Sequence, residues 1–368
     1  MNQRNRRQFL GTGAAFALGL GCGKRPLRGP HAGRELNVFA YAGGHEATMR
    51  EVFVPRFEAR TGAAVTIHAG WNHGIAHLKA ASKDTPPYDL MIVHATDGYP
   101  AAREGLFAQF DPKAIPSVAH LAPVTLDNGI ARQGYGLTYP DSVMTLAFNR
   151  RSVSDAPASW ADLFRPELVG KLGMYNAMYM SLYTFACVQA ALEGKPGTAR
   201  SLTETSIDTV FAFAKKHRKR VRYWWPTSTD MILALVNRDC AAGNMHSPEY
   251  LQALREKPEL GAAVPPEDRA FVQVFWAVPA GSLNRDIALE ALDELFSFDV
   301  QLGFARRGQA TSRLDVAASM AAEDSVWKAL YPHTPTQLAA LNYYPYDAYA
   351  EHWNDLSDRW DRTVLRDG

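Results

Sequence analysis

The stretch LNVFAYAGGHEATMREVFVPRFEARTGAAVTI, residues Leu36–Ile67, decides how the rest of the chain is read. Leu36, Val38 and Ala40 alternate with side chains of the opposite face, the period of a buried opening strand. Gly43 and Gly44 let the backbone turn sharply and leave it open to close approach. Met49, Phe53 and Phe57, four residues apart, mark one face of a helix. Pro55 falls inside that pattern, so a kink or restart is expected there. Thr61-Gly62 ends the helix and Ala63–Ile67 is the next strand. A strand, a glycine turn and a helix start with free N–H groups form a site for a polar or anionic group. Gly44 and His45 stand at its edge, and His45 is read either as a ligand contact or as a helix cap.

A chain of 368 residues is long enough for two lobes. Nearly half of it is apolar, which supports a sizeable core, and a net charge of +1 gives no reason to expect a nucleic-acid partner. The basic run Lys215–Arg220 reads as a solvated helix end. Cys22, Cys187 and Cys240 match no zinc spacing. Cys187 and Cys240 are either a disulfide or two buried thiols.

The N-terminus reads as an address. Asn5-Arg6-Arg7-Gln8-Phe9-Leu10 before the apolar run Gly11–Gly21 resembles a twin-arginine export signal. That run is shorter than the roughly 20 residues of a membrane span. Cys22 after Leu18-Gly19-Leu20-Gly21 resembles a lipoprotein cleavage site, although Gly19 stands where leucine is usual. A plain secretory signal with an incidental cysteine is the other reading. Lys24–Glu35 reads as a tether. No later apolar run is long enough to cross a membrane, so the mature chain is expected to be soluble or merely anchored through Cys22, and the export signal places it outside the cytoplasm.

Further on, a helix over Gly74–Lys83 stops at Pro86-Pro87, and Tyr88–Val93 is a buried strand with His94 leaving its end. A short helix follows over Pro100–Phe107. Gly134–Asn149 is a long strand broken at Pro140-Asp141-Ser142, and Phe271–Pro279 is a second long extended run through Trp276. Ser159, with Asp162 behind it, caps a helix. Tyr175 and Asn176 end a strand. Ser228 or Thr229 caps the helix Met231–Asn237 or meets a ligand. His246 and Ser247 stand where a strand gives way to a helix, and Leu356, Trp360 and Val364 mark a terminal docking helix. In open α/β sheets ligands collect at carboxyl ends of strands, so these tips are expected to share a cleft.

The elements F-A-Y-A-G-G-H-E from Phe39 and P-R-F-E-A-R-T-G-A-A-V from Pro55 resemble bacterial extracellular solute-binding proteins of ABC transporters. So do Y-D-L-M-I-V from Tyr88, E-G-L-F from Glu104, S-W-A-D-L-F-R-P-E-L-V-G-K-L from Ser159 and V-F-W-A-V-P-A-G from Val274. The similarity is to the spermidine/putrescine- and ferric-ion-binding branch and covers most of the mature chain. It implies an α/β, two-lobe, type II periplasmic-binding-protein-like fold with a cleft between lobes joined by crossover strands. The implied division is 1–35 as signal and tether, 36–140 plus 277–330 as the first lobe, 141–276 as the second, and 331–368 as a helical segment packed on the lobes. It also implies a monomer that captures a small solute or ion and hands it to an ABC permease. Where polyamine binders of this family carry acids, the sequence aligns Asn176, Met180 and Val274, so a polyamine would lack its counter-charges there. Ferric binders use a histidine, an acid and a tyrosine pair; here His45, His94 and His246-Ser247 stand near those places. A His45–His94–His246 set would suit a divalent metal or metal chelate as cargo, or an organic anion. No resident cofactor is implied.

An exported enzyme using the same cleft is the contrasting reading. The chain has no G-x-S-x-G elbow and no H-E-x-x-H helix, and neither Cys187 nor Cys240 has a reactive setting.

Overall fold

A computed structural model describes residues 28–366 apart from 72. The export segment Asn5–Leu10 and Cys22 lie outside the described residues.

The described residues contain nine strands: β1 (Glu35–Tyr41), β2 (Ala64–Gly70), β3 (Leu90–His94), β4 (Leu137–Asn149), β5 (Leu172–Tyr175), β6 (Val221–Trp225), β7 (Ala242–His246), β8 (Leu260–Ala263) and β9 (Phe271–Ala277). They run in the order β2-β1-β3-β9-β4-β7-β5-β6, with β8 beside β4. β1, β2 and β3 are parallel to one another, as are β5, β6 and β7, and helices return the chain between them. One strand serves both halves. The start of β4 pairs with β9, and from Met144 onward it pairs with β7 and β8.

The change of partner occurs at a bulge. Pro140 faces Gln273 and Val143 faces Phe271, so Asp141 and Ser142 share the space of one partner residue. Pro140 has no N–H to give to a ladder, and a bulge bends the strand and turns its side chains out of register. The break expected at Pro140-Asp141-Ser142 is thus a bend within one strand.

The second long run expected at Phe271–Pro279 is β9, which pairs with β3 over Val274–Ala277 and with the start of β4 from Phe271 to Trp276. All seven of its residues are buried, so no alternation marks which sheet it joins.

The opening helix starts at Gly44 behind Gly43, whose φ of 88° suits glycine. Wide π turns over Met49–Phe53 precede the α-helix Val54–Thr61, which ends at Gly62 in the left-handed conformation. Pro55 cannot donate to the carbonyl one turn back, and the widened turns take up that loss. Met49, Phe53 and Phe57 are fully buried, as their spacing requires. The helix after β3 runs Ala95–Arg103, earlier than expected, because His94 caps it and Pro100 is accommodated inside.

The helix Met178–Leu192 is buried nearly all round and forms the centre of the second half. The tail closes over it. Trp360 is buried against Phe185, Phe211 and Trp224, with Leu356 and Val364 inward. Tyr344 N–H donates to the carbonyl of Phe271 at 3.1 Å, which ties the same segment to β9. Cys187 and Cys240 are both buried free thiols.

Candidate functional site

The carboxyl ends of β1, β3, β5, β6 and β7 deliver Tyr41, His94, Tyr175, Trp225 and His246. The bulge in β4 adds Asp141, and the first turn of the helix Ser247–Glu256 adds Glu249. Tyr179, near the start of the central helix, joins the two sets. Its ring lies 5.4 Å from that of His94 in the first half and 6.3 Å from that of His246 in the second.

The three histidines are held differently. His45 is buried on Phe304 and Trp276, with ring centroids 5.0 and 5.7 Å away, and its Nε2 lies 3.4 Å from Tyr139 Oη. Its Nδ1 is buried without a partner. His94 turns Nδ1 back onto its own helix, accepting from Thr96 N at 3.2 Å, with Thr96 Oγ1 at 2.8 Å. His246 Nε2 lies 3.3 Å from Tyr179 Oη. Burial pushes the imidazoles down to about 3 for His45, about 4 for His94 and about 3 for His246, where nearby His94 adds to the effect. All three are neutral at physiological pH.

This arrangement corrects the metal expectation. Among the described residues no three His, Cys, Asp or Glu side chains come together so as to hold a metal ion. Each of the three imidazoles already has one nitrogen engaged with a hydroxyl, and His45 is packed among aromatic rings.

Several expected contacts have other duties. Ser247 is fully buried, and its Oγ accepts from Val143 N at 2.9 Å and lies 2.6 Å from Tyr331 Oη. The helix Ser228–Val236 is capped by Thr227, whose Oγ1 accepts from Asp230 N, and neither Ser228 nor Thr229 is its cap. Ser228 Oγ instead lies 3.5 Å from Glu249 Oε2, and Thr229 is exposed. Tyr175 stacks on Trp225 at 4.4 Å and gives its N–H to Asn244 Oδ1. Asn176 is held through its backbone: its N–H donates to Trp225 O, and its carbonyl accepts from Trp360 Nε1 at 2.8 Å. Gly44 is exposed at the helix start, and its carbonyl accepts from Thr48 Oγ1. Trp276 is a buried wall behind His45.

Sequence reasoning missed the acidic side chains. Burial, aided by the charge of Glu249, pushes the Asp141 carboxyl up to about 7. Glu249 is raised by its surroundings although it still reaches solvent, and burial also raises Asp97. None of the three forms an ion pair among the described residues. The only signals were an acid inside a strand break and an acid in the first turn after a strand tip. Tyr41, stacked 5.5 Å from the exposed Trp71, was also missed.

Larger concavities lie elsewhere. A groove of about 830 Å³ runs between Gln109 and Gly134, and one of about 550 Å³ lies between Ala119 and Ala339. The recess between Tyr41, Trp71, His94 and Asp97 holds only about 10 Å³, room for about one water. Volume alone therefore does not single out the strand-tip cluster; its chemistry does.

Two parallel α/β halves joined through a shared strand, with polar side chains at the strand tips between them, define a type II periplasmic binding fold. The chain belongs to the bacterial extracellular solute-binding protein family, whose model matches residues 53–335. Solved structures agree in fold. An ABC transporter substrate-binding protein from Bradyrhizobium japonicum superposes with a TM-score of 0.73 at 15% identity, over 89% of this chain and 98% of that one. A structure described as the Atu4243–GABA receptor gives 0.72 at 19% identity, over 91% and 99%. The spermidine/putrescine ABC transporter substrate-binding protein PotD from Streptococcus pneumoniae gives 0.68 at 16%, over 89% and 98%. No curated protein matches the chain. No helix among the described residues is long and apolar enough to cross a membrane.

Proposed function

We propose that the protein captures one small solute between its two halves and delivers it to the permease of an ABC transporter, without chemistry. The observation that carries this reading is the cluster at the strand tips. Tyr41, His94 and Asp97 on one half face Tyr175, Tyr179, His246 and Glu249 on the other across the shared strand β4. Only a form with both halves in place touches a guest from both sides, so binding favours closure.

The contrasting enzymatic reading has little to draw on. The thiols of Cys187 and Cys240 are raised by burial, Cys240 to about 11, so neither supplies a thiolate nucleophile near neutrality. The His45, His94 and His246 set is proposed as hydrogen-bonding wall, not as a metal cage. The acids absent at Asn176, Met180 and Val274 have counterparts at Asp141, Glu249 and Asp97, so missing counter-charge no longer argues against a cationic solute.

The test is a thermal-shift and native mass-spectrometry screen of the mature chain, proposed to be a monomer, against organic cations, organic acids, sugars and divalent metals. A rise in melting temperature with one class is expected. No stabilisation of a folded sample by any solute would sink the reading. The proposed route outside the cytoplasm is the twin-arginine segment: changing Arg6 and Arg7 to lysine is expected to leave precursor in the cytoplasm. Fractionating Cys22→Ala cells separates a lipid anchor from a plain cleaved signal.

A further inference from the structure

We propose that the solute is a small organic molecule with one cationic ammonium or trialkylammonium headgroup and at least one oxygen acceptor, and that Asp141 and Glu249 together supply the headgroup's counter-charge. This rests on the reading of the strand-tip cluster as the solute site, and names the chemistry that site selects.

A carboxylate drawn out of water without a cation is costly, and the cost is normally removed by an ion pair. The fold sets the half-buried Asp141 in the β4 bulge, near the first turn of the helix that carries Glu249, and the charge of Glu249, whose side chain still reaches solvent, acts on Asp141. Neither has a lysine or arginine partner among the described residues, whereas surface carboxylates such as Asp286, Glu290 and Glu323 do. The cation belongs to the guest.

The surroundings fit the same guest. Tyr175 stacked on Trp225, and Tyr41 stacked on Trp71, offer aromatic faces of the kind that attract an alkylammonium group. The three histidines are neutral, the charge of Lys79 acts at the Asp97 edge, and among the described residues no arginine or lysine is hydrogen-bonded to Asp141 or Glu249, so an anion beside those two acids would meet no cationic donor. Two buried donors are unspent. Trp225 is 1% exposed, and its indole N–H has no acceptor although the ring packs against Tyr175 and His246. Tyr41 Oη is likewise unpartnered and feels the charges of Asp141 and Asp97. A buried donor left without a partner is costly, so an acceptor oxygen on the guest would satisfy it.

The experiment is calorimetric titration of the mature chain with choline, tetramethylammonium, γ-aminobutyrate, putrescine, acetate, glucose and 3,3-dimethyl-1-butanol, the last an uncharged isostere of choline. At least one of choline and γ-aminobutyrate is expected to bind, with the uncharged isostere at least 100-fold weaker than choline. Asp141→Asn and, separately, Glu249→Gln are expected to weaken the binding cation at least 10-fold while the protein still melts cooperatively. Glu249 reaches solvent, so its variant keeps the test open if Asp141→Asn misfolds. Binding of acetate, glucose or the uncharged isostere in preference to every cation, unaffected by either substitution, would overturn the cation and leave the solute-binding reading standing. Tighter binding of putrescine than of choline and γ-aminobutyrate would overturn the single headgroup. Failure of every solute, including those of the wider screen, would overturn both readings.

Discussion

Asp141 and the buried histidines respond to pH with opposite sign. The Asp141 carboxyl titrates near 3.8 in an unfolded chain and about 7 in the fold. Its contribution to stability is therefore intact below pH 4 and lost as pH rises through 7. Asp141→Asn removes that loss. Solvent in the cleft weakens the effect from the full value of such a shift, leaving about 1–2 kcal/mol. The variant without ligand is expected to melt a few degrees higher than the parent at pH 8 and equally at pH 4, as scanning calorimetry would show. The imidazoles are depressed, so their contribution is present above pH 6.5 and lost as pH falls toward 3–4. His246→Gln is expected to flatten the fall in urea midpoint between pH 7 and pH 4.5. An unchanged slope would mean that His246 does not titrate with unfolding.

At the scale of elements, the hinge depends on how strand and helix ends are tied. Ser247, the first residue of its helix, fixes Val143 just past the β4 bulge and meets Tyr331 of the tail through one buried hydroxyl. Ser247→Ala leaves the Val143 N–H without its acceptor and is expected to cost about 1–3 kcal/mol in chemical denaturation. Tyr331 Oη also donates toward Gly308 O at 2.6 Å, so Tyr331→Phe and Ser247→Ala are expected to be less than additive. Full additivity would show that the two hydroxyls act independently. The opening helix is a simpler case. Its buried face was legible from Met49, Phe53 and Phe57, and Pro55 announced an irregularity. That the irregularity is a π segment before the proline, and not a break after it, depends on packing that keeps all three side chains buried.

Across the whole molecule the tail works as a strap. Tyr346 meets His94 edge-on at 5.7 Å, Tyr344 is bonded to β9, and Trp360 is bonded to Asn176 beside the tip of β5. One segment thus touches both halves and the strand that returns between them. Trp360→Ala removes a ring that is 1% exposed and is expected to cost about 3–5 kcal/mol, seen as a lower denaturant midpoint. Because Trp360 also holds the Asn176 carbonyl, solute affinity is expected to fall with it. Unchanged stability would mean the tail is not part of the fold's core.

The sequence by itself determined the α/β class, the opening strand–turn–helix, the capping at Ser159 and the docking face of the tail, because these depend on local period and turn chemistry. It also placed His94, Tyr175 and His246 at strand tips. Only the tertiary structure decided what those tips do. Whether an imidazole is free or spent on a neighbouring hydroxyl, as His94 is on Thr96, depends on rotamer and packing. Whether an acid is solvated or stranded depends on what surrounds it. Asp141 and Glu249 stand 108 positions apart, each marked only by a strand break or a helix start, and they came together only when β4 bent at its bulge and the following half folded against it.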